Sequence, residues 1–111
     1  MSNPHRIHEI RSLEIHKIVA EKLRETPEFV IQHARNNITR WKTNGADCYA
    51  LTEWEDILNK GPEYTLSVLL DTGENATRLR QSSPFPGLIT QTQRKEIFQR
   101  NPLFGKSVDK T

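Results

Sequence analysis

Only one cysteine, Cys48, occurs in the 111 residues. A lone thiol cannot close an internal disulfide, which sets aside the disulfide-stapled secreted scaffolds. Long apolar runs are missing as well. The stretches FVI, CYAL and VLL fall far short of the roughly 20 residues that a membrane-spanning helix requires. The opening MSNPHRIHEIRS lacks the apolar centre of a secretory signal. The expectation is a reduced, cytoplasmic, soluble protein.

Catalytic signatures are equally scarce. There is no glycine-rich phosphate loop and no Gly-x-Ser-x-Gly nucleophile elbow. His5, His8, His16 and His33 are too dispersed for a tetrahedral zinc site, and His8-Glu9 is not followed by the second histidine of a metalloprotease. Cys48 sits in ADCYA between two helical patterns, as a packing residue does. Short helices in a chain of this size rarely enclose a deep, dry pocket. These absences argue against an enzyme and imply no catalytic residue, no metal and no cofactor.

What is present is helical period. Apolar residues make up 34% of the chain and charged residues 27%. The apolar ones are grouped well enough to specify one domain with a modest core. Ser12 can cap a helix from Leu13 to about Glu25, with Ile15, Ile18, Val19 and Leu23 on one face. Ile7 and Ile10 either extend it upstream or lie in a loose arm spanning residues 1–11. Thr26-Pro27-Glu28 reads as a cap, a first helical position and an acidic first turn. In the helix that follows, Val30, Ile31, Ala34, Ile38 and Trp41 lie within an arc of about 100°. Asn44 or Gly45 ends it. Thr52 and Glu55 have capping-box spacing, ahead of Trp54, Ile57 and Leu58. Pro62 opens a helix over PEYTLSVLLD, to Asp71; YTLSVLL could also be extended, but Pro62 and Glu63 at its start favour helix. A short helix runs from about Glu74 to Gln81. Thr90 and Gln93 form a second capping box before a last helix to Arg100. The reading is an all-α, compact bundle of five to six short helices over residues 12–100, with a tail at 101–111.

Charge is segregated along the chain. Residues 1–45 hold eight Lys or Arg against five Asp or Glu; residues 46–75 hold one against seven; residues 76–111 hold seven against two. The helix pair joined by NKGP resembles a helix-turn-helix, but its second helix lies in the acidic segment and would be repelled by phosphates. A basic surface from Arg78, Arg80, Arg94, Lys95 and Arg100 keeps nucleic acid open as a partner.

The stretch RLRQSSPFPGLITQTQR, Arg78 to Arg94, concentrates the remaining chemistry. Pro84 and Pro86 stiffen the backbone on either side of Phe85. Arg78 and Arg80 point to different sides of a helix. Ser82 and Ser83 can bond backbone groups where the helix stops. Two roles fit: an internal brace with Phe85 plugging the core, or a preformed aromatic anchor for another protein. In the second case the contact residues are Arg78, Arg80, Gln81, Ser82, Ser83, Phe85 and Arg94.

The segments EIHKIVAEKLRETPEFVIQHARNNITRW, LTEWEDIL and TRLRQSSPFPGLITQTQRKEIF together resemble a group of small, all-helical bacterial proteins. Their pattern matches at His16, Ala20, Lys22, Leu23 and Arg24. It continues at Ala34, Arg35, Asn37, Arg40 and Trp41, then at Glu53 and Trp54, and at Leu79 through Phe85 with Gly87. The chain departs at Val19, where isoleucine is usual, and at Pro86, where a small residue is usual. Genes for such proteins commonly precede one for a nucleotidyltransferase-like protein, in an arrangement like a toxin–antitoxin pair. The resemblance therefore implies an antitoxin whose partner is a toxin protein, and it transfers no active site. The rival expectation is a DNA- or RNA-binding regulator, acting on its own operon. The oligomeric state is open.

Overall fold

Prolines and glycines punctuate the chain where its helices change. The computed structural model describes residues 4–102. The helices are α1 (Pro4–Glu25), α2 (Pro27–Thr43), α3 (Tyr49–Asn59), α4 (Pro62–Leu70), α5 (Glu74–Arg80) and α6 (Gln91–Arg100). The all-α bundle expected from the periodicity is what forms, with no strand among the described residues. Pro27 and Pro62 open their helices, where a missing N–H costs nothing. Gly45 and Gly61 follow the ends of α2 and α3 at φ of 99° and 102°, a left-handed turn that a side chain would strain.

Helix α1 packs most extensively on α4 and α2, and more lightly on α6 and α5. The core is built from Val19, Ala20 and Leu23 of α1, Val30, Ala34 and Ile38 of α2, and Leu51, Trp54 and Leu58 of α3. Ile57, Leu69, Leu79, Phe85 and Leu88 complete it. No described helix is long and apolar enough to cross a membrane.

Two capping expectations are corrected, and a third holds in position only. Ser12 does not start a helix: α1 already runs from Pro4, so residues 4–11 are helical rather than a loose arm. Residues 1–3 lie outside the described part. Thr52 does not cap α3, which begins at Tyr49 because Ala50 and Leu51 are buried with the core. Thr52 and Glu55 instead receive Lys42 Nζ at 3.1 and 2.8 Å. Thr26 takes the expected N-cap position of α2 ahead of Pro27, but its hydroxyl makes no cap bond and donates to the Lys22 carbonyl at 3.1 Å, closing α1.

The second capping box forms as expected. Gln93 N–H donates to Thr90 Oγ1 at 3.0 Å, and Thr90 N–H donates to Gln93 Oε1 at 2.9 Å. Beyond α6, Asn101 is tied to α1. Its Nδ2 donates to Glu14 Oε2 at 2.6 Å, and its carbonyl accepts from Arg11 Nε at 2.8 Å. Arg100 also pairs with Glu14, which holds that carboxyl below its usual range. The tail beyond Pro102 lies outside the described residues.

Candidate functional site: a guanidinium-lined groove

Pro84 and Pro86 present carbonyls but no N–H to the rest of the fold, so the 81–90 connection needs outside donors. Helix α2 supplies them. Asn37 Nδ2 donates to the carbonyls of Pro84 at 3.0 Å and Pro86 at 3.3 Å, and His33 Nε2 donates to Pro86 at 2.7 Å. From α1, His16 Nδ1–H donates to the Ser12 carbonyl at 2.7 Å. That leaves Nε2 as an acceptor for the Ser83 hydroxyl, 2.8 Å away. Burial pushes His16 down from 6.5 to about 4, so its ring is neutral near pH 7.

Phe85 lies at the centre of this bracing. Its ring is only 3% exposed and meets Trp54 edge-on, with centroids 5.3 Å apart. Trp54 Nε1 in turn donates to the Leu79 carbonyl at 2.9 Å. The partner-facing anchor expected of Phe85 is therefore corrected: a ring this buried offers no surface, and the internal brace is the role observed.

The two arginines are occupied within the molecule. Arg78 forms a bidentate pair with Glu53 at 2.9 and 2.8 Å, and this guanidinium holds the Glu53 carboxyl below its ordinary range. Arg80 is 6% exposed. Its NH1 reaches the carbonyls of Val68, Leu69 and Asp71 at 3.1, 3.3 and 2.6 Å. It thereby caps α4, which has no basic residue in its own last turn. Burial lowers the Arg80 pKa, with Asp71 and Glu9 opposing. Ser82 sits away from Ser83, its hydroxyl 3.8 Å from Cys48 Sγ; that contact holds the exposed thiol below its usual value.

The run is thus divided. Arg78 and Ser82 lie apart, whereas Arg80, Gln81, Ser83, Phe85 and Arg94 meet along one groove of about 600 Å³ between α1, α6 and the 81–90 connection. Helix α1 adds His8, Arg11 and Ile15; α6 adds Phe98. Among the described residues, no Asp or Glu lines it. The guanidiniums of Arg11 and Arg94 lie 4.1 and 5.0 Å from the Phe98 ring centroid, a cation–π clamp that orients both. Arg11 and His8 were missed in sequence because they belong to α1 upstream of Ser12. The spacing of Ile7 and Ile10 was the available signal.

Ser83 and His16 have the separation of a nucleophile and base. Yet a ring held near 4 is a weak base at neutral pH, and Ser83 Oγ also accepts from Phe85 N–H at 3.3 Å. The pair's chemistry is bracing. Among the described residues, no three His, Cys, Asp or Glu gather to hold a metal ion; the side chain of His5 lies outside that description. Comparison of the chain with protein-family models, curated proteins and solved structures finds no match.

Proposed function

We propose that this chain is a non-enzymatic interaction protein of antitoxin type, which binds and neutralises a toxin encoded by a neighbouring gene. The observation that carries the reading is the groove. Two guanidiniums that the fold leaves accessible, Arg11 and Arg94, line it, and no carboxylate among the described residues does. The ion pairs of the described residues are Lys42–Glu55, Arg78–Glu53 and Arg100–Glu14, and they use neither. Such donors suit carboxylates. A nucleotidyltransferase-like toxin would present carboxylates at its metal-binding cleft. The sequence resemblance supports the same partner, and the contact surface shifts from the Phe85 ring to the groove beside it.

Nucleic acid is less well supported. Of the five basic residues expected to form a phosphate-binding surface, Arg78 and Arg100 are paired and Arg80 is buried. Only Arg94 and Lys95 remain of that set.

The test is co-expression with the product of the adjacent gene, followed by affinity capture and a growth assay. A complex formed at micromolar concentration, with growth restored, is expected. No complex at that concentration overturns the proposal. A mobility-shift series in rising salt checks the alternative, since phosphate contacts weaken steeply with salt.

A further inference from the structure

The groove continues beyond its central cavity. At one end it adjoins a recess that shares His8, Ser12, Arg80 and Gln81 with it. At the other it adjoins a trough that shares Arg94 and Phe98 and adds Lys95. The three hollows join into one channel. Arg80 lines the recess and the groove, Arg11 the groove, and Arg94 the groove and the trough, where Lys95 is added. Among the described residues the channel's one carboxylate is Glu9, in the recess.

Resting on the antitoxin reading, we infer that this channel receives an extended acidic segment of the partner protein, with carboxylates meeting Arg11 and Arg94 and an apolar side chain between them. Arg80 is occupied within the fold: three backbone carbonyls and Thr77 accept from it, and the carboxylates of Asp71 and Glu9 oppose its charge. The cations left for a partner's carboxylates are Arg11 and Arg94, with Lys95 beside them. Between the cations, Ile15 and Ile89 give an apolar lining suited to an aliphatic side chain.

A single-stranded nucleic acid fits less well. It needs free aromatic faces for its bases. The groove's phenylalanine ring outside the core, the half-buried Phe98, is already covered by two guanidiniums. Held in place by that ring, Arg11 and Arg94 lose little freedom on meeting a carboxylate.

The test is fluorescence anisotropy with a fluorescein-labelled peptide that carries glutamates on both sides of a single leucine. Micromolar binding is expected. The double variant Arg11→Glu with Arg94→Glu should bind at least about tenfold more weakly. Arg24→Glu, on an exposed position near the other end of α1, should bind as the parent does. Circular dichroism and melting show that each variant is folded. Oligothymidylate and inorganic phosphate, added as competitors, should displace the peptide poorly. No peptide binding, equal binding by the double variant, or tighter binding of oligothymidylate each overturns the inference. Capture of the toxin by the double variant as well as by the parent defeats the channel assignment and leaves the antitoxin reading standing. Peptide binding without any toxin complex does the reverse.

Discussion

His16 connects α1 to the 81–90 connection through a ring that must stay neutral. Its folded pKa of about 4 lies below the ordinary 6.5. Unfolded chains therefore take up a proton at this site first as pH falls. The stabilisation is complete above pH 6.5 and is lost progressively down to pH 4, by about 3 kcal/mol in all. Urea midpoints measured across that window should fall with pH in the parent. They should fall less in His16→Gln, whose amide can span Ser12 and Ser83 without titrating. A second contrast lies between two residues of the same run. Phe85→Ala empties a core position and should cost about 3–5 kcal/mol. Arg78→Ala removes an exposed ion pair and should cost less than about 1 kcal/mol by the same denaturation measurement. Equal losses at the two positions would contradict the brace assigned to Phe85.

Helix ends divide cleanly into those with a local cause and those without. Thr90 and Gln93 cap α6 through contacts three residues apart, so their spacing in sequence was sufficient. Thr90→Ala should cost about 1 kcal/mol. Thr52→Ala, mid-helix in α3, should change stability by no more than about 0.5 kcal/mol. Ser12 and Thr52 misled because Ser and Thr signal a cap only when no better burial lies upstream. Ile7 and Ile10 lengthen α1, and Ala50 with Leu51 advances α3. The periodicity was therefore legible, as were the starts at Pro27, Pro62, Glu74 and Thr90; those of α1 and α3 were not. The brace was half-legible: Pro84 and Pro86 announced stiffness, but the choice between brace and anchor depended on Asn37, His33 and His16, whose roles arise only when distant helices meet. Gly87 lies in the same connection at φ 93°, and a Cβ there would come within 3.2 Å of His33 Nε2. Gly87→Ala should therefore destabilise by more than about 1 kcal/mol, visible as a lowered urea midpoint.

Across the whole molecule, charges segregated along the chain are partly reunited by folding. The acidic middle segment receives Lys42 from one flank and Arg78 from the other. Arg80 joins that exchange, donating to the carbonyls of Val68, Leu69 and Asp71, whereas Arg11 and Arg94 remain outside it. Stability should accordingly change little between low and moderate salt, because exposed pairs contribute only about 0–1 kcal/mol each. Affinity for an acidic partner should decline over the same range, as steered association does; parallel melting and binding series check both. Which cations stay unmatched could not be read from composition, since Arg80 and Arg94 differ only in where folding leaves them. The completely buried indole of Trp54 rests against Phe85, whose other surroundings include the groove wall. Anything that enters the channel and disturbs that wall will be felt at the chromophore two layers beneath it. The protein thus carries its own optical gauge, and a shift in ultraviolet emission can report occupancy without any label attached.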